Sequence, residues 1–246
     1  MKFIAHRGYR KCYPENTLAA FEAVINHPQN GKNLIGIELD IHATSDNRII
    51  VMHSTEIETA NKETVAVADI THAQLMECAA RNNPDKFAAI PDIDQTLQLV
   101  NHKTELCFEI KQAAYNRTAF IARLIESLHR YKPENDVVIS SFSHEILWVI
   151  AEAAKHVDVK YAFIFRTLDS LNCLPAKTKE RLNYLHPNHK LLLKYPDAFE
   201  DAPFPLQCWT VNTPEEIDAI LALPIAGAIR SIMTDDIAFS QRYGDS

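Results

Sequence analysis

Strand-like and helix-like patterns alternate from one end of this chain to the other, and few folds accommodate such a rhythm. Short β-type runs recur at Lys2–Ala5, Leu34–Ile41, Ile49–Met52, Leu106–Ile110, Val137–Ser140, Lys160–Phe165, Leu191–Leu193, Leu206–Val211 and Ala228–Met233. Several are almost continuously apolar, as in strands covered on both faces. Helical spacing fills the intervals at Thr17–Ile25, in a helix opening near Asp92 or Asp94 and running to Val100, and at Arg117–His129, His144–His156 and Thr213–Leu221. Phe120, Ile121, Leu124, Ile125 and Leu128 share one helical face. Thr213-Pro214-Glu215-Glu216 reads as an N-cap, a first-turn proline and acids at the helix dipole. With no low-complexity linker, the pattern predicts one α/β domain over residues 1–246 with a parallel sheet. Eight strands would close a (β/α)8 TIM barrel, a fold that runs to about 250 residues. Nine candidates are present, Leu191–Leu193 being the weakest. An open doubly wound sheet is the other architecture, but no GxGxxG turn or P-loop accompanies it.

Composition narrows the classes of partner. The hydrophobic fraction of 47% can fill a sizeable core, and no window approaches the ~20 apolar residues of a membrane span. Only three apolar residues separate the start from His6 once Lys2 is passed, so a soluble, non-exported, cytoplasmic protein is expected. A net charge of −7 with no basic run argues against nucleic acid as the main partner. Five widely spaced cysteines without a CxxC fit reduced thiols better than a disulfide framework or a zinc site.

In a barrel, chemistry gathers at the C-terminal ends of the strands. His6 and Arg7 end the first run. Glu38 and Asp40 end the second, two residues apart and therefore on one face. His53 ends the third, and Glu109 and Lys111 end the fourth, again two apart. The segment HATSDNRIIVMH between Asp40 and His53 is too short for a helix and carries a turn signal at Ser45-Asp46-Asn47. As a hairpin centred near Asp46 it would set His53 roughly opposite Glu38; as a descending and returning strand it would still bring His53 to the upper rim. Each residue alone has an ordinary structural explanation. Together, three carboxylates, two histidines, an arginine and a lysine converge on one rim.

Three carboxylates without Cys or His at ligand spacing suit one hard divalent cation, Mg²⁺ or Ca²⁺. Two histidines can serve as general base and general acid near neutral pH. Arg7 and Lys111 offer fixed positive charge to an anion, of which phosphate is the natural one. A cation, positive side chains, a base and an acid are what phosphodiester cleavage requires.

These residues resemble the glycerophosphodiester phosphodiesterase family. The resemblance begins with His6-Arg7-Gly8 and Pro14-Glu15-Asn16-Thr17 and continues through Glu38-x-Asp40, His53 and Phe108-Glu109-Ile110-Lys111. It extends to Ser140-Ser141-Phe142, Trp209-Thr210-Val211-Asn212 and Thr234-Asp235. It implies a (β/α)8 barrel of the phospholipase C-like phosphodiesterase type. It also implies metal ligands Glu38, Asp40 and Glu109, catalytic His6 and His53, phosphate-binding Arg7 and site lysine Lys111. The implied reaction cleaves a small-molecule glycerophosphodiester to sn-glycerol 3-phosphate and an alcohol, through attack by the glycerol 2-hydroxyl and a cyclic phosphate that water opens. Trp209, at a late strand end, is expected at the substrate rim. Gly8 is expected to let the chain turn close to the ligand, and Glu15 and Asn16 to support the site from behind. His42 is worth attention because it follows the acid pair by two; the remaining histidines read as surface. The chain departs from the family where His53-Ser54 replaces the common His-Asp, and where Glu58-Thr59-Ala60 replaces Arg-Thr-Thr. Asp46-Asn47 replaces Asp-Gly, a benign change because Asn tolerates the left-handed region. Related activities on lysophospholipids or sugar phosphodiesters, and a catalytically weakened barrel that binds a phosphate ester, remain open alternatives.

Overall fold

The computed structural model describes residues 1–82, 90–111, 115–133 and 136–243. Its strands are β1 (Lys2–His6), β2 (Leu34–Ala43), β3 (Ile49–Val51), β4 (Glu56–Glu58), β5 (Thr64–Ala66), β6 (Glu105–Ile110), β7 (Val137–Ser141), β8 (Lys160–Phe165), β9 (Tyr184–Pro187), β10 (Leu206–Cys208) and β11 (Ile229–Thr234). Eight of them form a parallel barrel in the order β1-β2-β6-β7-β8-β9-β10-β11, closed by the pairing of β11 with β1.

Two of the nine expected strands lie outside this ring, and one barrel strand was not expected. β3 pairs antiparallel with β2, so the segment after Asp40 is a hairpin. Asn47 sits at its turn with φ 60, the left-handed conformation expected there. Leu191–Leu193 belongs to a helix, His189–Lys194, which Asn188 caps by accepting from the Lys190 N–H. Its Leu191 and Leu192 are buried, so an apolar triplet that reads as a strand is the inner face of a helical turn. The barrel strand at this point is β9, whose sequence YLHP contains too few β-type residues to stand out. His186 on β9 and His189 after it are buried rather than at the surface.

The α-helices among the described residues are α1 (Leu18–Ile25), α2 (His72–Asn82), α3 (Ile93–Val100), α4 (Arg117–Tyr131), α5 (His144–Ala153), α6 (Leu168–Asn172), α7 (Ala176–Lys179), α8 (His189–Lys194), α9 (Pro214–Leu221) and α10 (Phe239–Arg242). The β4–β5 hairpin and α2 are further elements that the apolar pattern does not announce. Caps begin the main helices as their sequences dictate. Thr17 accepts from the Ala20 N–H, and both Asp92 and Thr213 form reciprocal capping boxes, with Gln95 and Glu216.

Three layers fill the barrel axis. The middle is apolar, built from Ile4, Cys107, Val138, Ala162, Tyr184 and Met233. The N-terminal end holds an ionic plug, in which Arg230 meets both carboxylate oxygens of Glu105 at 2.9 and 3.0 Å and Lys160 pairs with Asp136. The C-terminal end carries Glu38, Asp40, Glu109 and Lys111. Outward-facing residues such as Phe3, Leu39, Phe108, Ile139, Phe163 and Ile232 pack against Phe21, Leu97, Phe120, Ile150 and Ile217 of the helices. Burying such side chains contributes roughly 1.5–3 kcal/mol each, which keeps the barrel rigid beneath the site. All five cysteines are free. Among the described residues, no helix is long and apolar enough to cross a membrane.

Candidate active site

Strand register assembles the site. In the parallel pairing of β1 with β2, His6 stands beside Glu38; in that of β2 with β6, Asp40 stands beside Glu109. Glu38, Asp40 and Glu109 thereby offer oxygen atoms that all lie within 4.8 Å of one another. The hairpin returns alongside them, with the Met52 N–H donating to the Asp40 carbonyl at 2.9 Å, so His53 comes back to the level of the acid pair.

The three carboxylates repel one another. Burial, then the charges of Asp40 and Glu109, hold the Glu38 carboxyl well above its ordinary range despite Arg7 and Lys111. Burial and Asp40 raise Glu109, against the pull of Lys111. Asp40 goes the other way: burial opposes ionisation, but Lys111, Arg7 and Asn16 outweigh it and keep its pKa below the usual value. Lys111 Nζ lies 2.8 Å from Asp40 Oδ1 and 2.6 Å from Glu109 Oε1. Arg7 contacts Asp40 through Nε at 3.1 Å and Glu15 through Nη1 at 3.0 Å. Burial would lower its pKa, but Asp40, Glu38 and Glu15 raise it, so Arg7 stays charged. These two cations leave Glu38 and Glu109 underneutralised. An all-oxygen donor set short of positive charge fits a hard divalent cation; Glu38, Asp40 and Glu109 are the residues that could hold it.

The loop after β1 is fastened to this cluster from several directions. Arg7 adopts φ 60, and its N–H donates to the Glu38 carbonyl at 2.8 Å. Asn16, also left-handed at φ 57, donates from Nδ2 to Asp40 Oδ2 at 2.8 Å and accepts the Asp40 N–H at 3.3 Å. Glu15 bridges Arg7 and Arg10. The supporting part expected of Glu15 and Asn16 is thus visible in their contacts. At φ +79, a Cβ on Gly8 would lie 2.8 Å from Ala20 Cβ and 2.9 Å from the Ala20 carbonyl carbon, so glycine is needed for the loop to pass against α1.

His6 has a partner that the strand-end reading did not include among site residues. Its Nδ1 lies 2.6 Å from Asp235 Oδ1, directly after β11. Asp235 is itself held by Asn212 Nδ2 at 2.8 Å and approached by Arg10 Nη1 at 3.6 Å. Burial would raise the Asp235 carboxyl, but His6, Arg10 and Asn212 bring it below its ordinary value. With Nδ1–H donated to Asp235, Nε2 faces the site, 4.0 Å from Glu38 Oε2. The signal that could have found Asp235 is its position at the C-terminal end of the last strand.

His53 is exposed and has no hydrogen bond or ion pair among the described residues. Burial of part of its ring, and the nearby charges of Lys111 and Arg7, lower its pKa against the opposing pull of Asp40 and Glu15. Ser54 turns away, donating to the Glu56 carbonyl at 2.7 Å and accepting the Glu56 N–H at 3.2 Å. His42 is fully buried beside the backbone of Met52 and Ser54, its pKa pushed down to about 4 by burial, and so it is a neutral wall of the hairpin. Trp209, just past β10, lines a narrow cavity of about 20 Å³ together with His6, Glu38, Glu109, Ser140 and His186. Its indole N–H donates to the His186 carbonyl at 2.7 Å, which fixes the ring.

A closed parallel barrel with a cluster of ionisable side chains at its C-terminal rim places the chain in the (β/α)8 class. Among solved structures it is similar to an Oleispira antarctica phosphodiesterase in complex with the product sn-glycerol-3-phosphate. The TM-score is 0.76 and the identity 19%, over all of this chain and 97% of the other. It is also similar to the glycerophosphodiester phosphodiesterase of Thermotoga maritima, with a TM-score of 0.70 and 22% identity over 98% and 97% of the two chains. A glycerophosphodiester phosphodiesterase of Bacillus altitudinis is 26% identical over 245 residues, 92% of each chain. One from Caldanaerobacter subterraneus subsp. tengcongensis is 27% identical over 238 residues, 95% of this chain and 93% of that one. The model of the glycerophosphoryl diester phosphodiesterase family matches residues 6–238, and the chain belongs to that family.

Proposed function

We propose that the protein hydrolyses glycerophosphodiesters to sn-glycerol 3-phosphate and an alcohol, using one Mg²⁺ or Ca²⁺ at Glu38, Asp40 and Glu109. The observation that carries this reading is the convergence of those carboxylates within 4.8 Å, beside a histidine oriented by its own carboxylate. Family membership supports the reaction class.

A bound divalent cation would polarise the phosphate and offset charge growing on its oxygens. Arg7 and Lys111, kept charged by their acidic neighbours, add positive potential on the same side. His53 is favoured in its neutral form and is free to accept the proton of the glycerol 2-hydroxyl. His6, with Nδ1 bound to Asp235, carries a proton on Nε2 and delivers it to the departing alkoxide. Asp235 balances the imidazolium in that state and sets which nitrogen faces the phosphate. In the second step the roles reverse: His6 takes a proton from water and His53 returns one to the 2-oxygen. Trp209 walls the cavity against the substrate. Without a carboxylate beside it, His53 is a weaker base than it could be, which favours slow turnover over loss of activity.

Release of sn-glycerol 3-phosphate from a panel of glycerophosphodiesters, with and without EDTA, tests the assignment. Turnover that EDTA abolishes and Mg²⁺ or Ca²⁺ restores is expected. Full activity in EDTA, or in Glu38→Gln, would remove the metal from the reading; absence of turnover on every diester would remove the reading itself.

A further inference from the structure

One cation of the barrel mouth stands apart from the others. Arg7, Arg10 and Lys111 are each paired with carboxylates. Arg166, directly after β8, is exposed and makes no ion pair among the described residues. Its guanidinium lies instead over two aromatic rings, 4.5 Å from the centroid of Phe142 and 5.0 Å from that of Trp209. The rings meet edge to face, 5.6 Å apart and at 89°. Trp209 is tied to the His186 carbonyl and lines the same cavity as His6, Glu38 and Glu109. The platform is therefore fixed to the catalytic cavity, and a stacked guanidinium keeps its N–H edge available to acceptors.

Position in the ring says which part of a substrate meets it. In the eight-stranded order, β8 stands four strands from β1 in either direction, directly across the mouth from His6. The attacking 2-hydroxyl is tethered to the phosphate through its own glycerol, which confines that arm to the side of His53. In-line displacement sends the leaving oxygen away from His53 and within reach of His6, which protonates it, so the body of the alcohol extends across the mouth toward β7, β8 and β10. A choline group arriving there would find the aromatic faces that attract quaternary ammonium already covered by a side chain of its own charge. An acidic or phosphorylated alcohol would find an unpaired guanidinium.

Resting on the phosphodiesterase reading above, the geometry points to Arg166, held on Phe142 and Trp209, as the residue that selects the leaving group. It favours diesters whose alcohol carries negative charge and disfavours choline. The test compares kcat/KM for glycerophosphoinositol phosphate and for glycerophosphocholine in the wild type, Arg166→Met and Arg166→Lys. The wild type prefers the anionic diester by about tenfold or more, and the preference shrinks as salt is raised. Arg166→Met, which keeps an apolar stem on the rings, brings the ratio toward one and improves the choline substrate; Arg166→Lys recovers part of the preference. A purely structural arginine would lower both substrates alike and leave the ratio unchanged. A wild-type ratio near one, or a ratio that Arg166→Met does not move, overturns the inference while leaving the phosphodiesterase reading intact. Failure to cleave any diester overturns both.

Discussion

Replacing Asp235 with asparagine removes a charge from His6 while keeping the shape of its partner. The His6 Nδ1 to Asp235 Oδ1 distance of 2.6 Å sets the charge centres about 4 Å apart, where an effective dielectric of about 20 gives roughly 4 kcal/mol. The side chains are 13% and 24% exposed, so solvent removes about half of that, leaving roughly 2 kcal/mol of interaction that holds the ring with Nε2 toward the site. That corresponds to about a 30-fold fall in kcat. The amide also cannot satisfy both neighbours. His6 and Asn212 each donate to Asp235, through different oxygens, and an asparagine has one acceptor oxygen. Asp235→Asn therefore either keeps His6 and loses Asn212 or the reverse, and the second choice lowers kcat further. The measurement is steady-state release of sn-glycerol 3-phosphate at saturating metal, with thermal melting to confirm the fold and a metal titration to confirm that the carboxylate site is untouched. KM stays within about twofold, because Asp235 acts on His6 and not on the bound substrate. A kcat within threefold of the wild type would show that His6 does not act through Asp235 and would refute the assignment of the acid.

Three other expectations follow from named contacts. Glu38 and Glu109 have raised pKa values, so the metal-free fold binds more protons than the unfolded chain; their contribution is present at low pH and is lost as pH rises through the folded-state values. The melting temperature in EDTA should accordingly decline on the alkaline side of that range, and added divalent cation should restore more stability there than in acid; equal metal stabilisation across the range would argue against the carboxylate site. Ser54→Asp places a carboxylate beside His53, which should raise kcat by about two- to tenfold and move the acid limb of the rate profile to higher pH, because a neighbouring anion raises an imidazole pKa that is now low; an unchanged limb would mean that His53 is not the base. Gly8→Ala forces a Cβ to 2.8 Å from Ala20 at φ +79, which should cost about 2–4 kcal/mol in denaturant unfolding and displace the His6 loop; wild-type stability would mean that the loop relaxes freely.

The carboxylates were legible because they break a local rule. Glu38, Asp40 and Glu109 interrupt apolar strands with charges that burial makes costly, and their two-residue spacing puts Glu38 and Asp40 on one face without any knowledge of the fold. The caps at Thr17, Asp92 and Thr213 were legible for the same reason, since a capping side chain bonds to backbone three residues away. Asp235 stood in the sequence as part of Thr234-Asp235, but its pairing with His6 was not legible, because the two lie 229 residues apart along the chain. Nor was Arg166, whose rings come from β7 and β10 and meet it only when the barrel closes.

By itself, then, the sequence determined most of the alternating elements, the capped starts of α1, α3 and α9, and which ionisable residues interrupt the apolar strands. These follow from periodicity and from the short reach of a side chain along its own segment. Only the tertiary structure decided that Tyr184–Pro187 is a barrel strand and Leu191–Leu193 a helical face, because a short run takes its conformation from the partners available to it. It also decided that β3 folds back on β2, and that Asp40 stands level with Glu109 and His6 with Glu38. Strand register is set by packing across the whole closed ring, and a shift of one residue would turn every one of those carboxylates from the barrel mouth to the apolar layer outside.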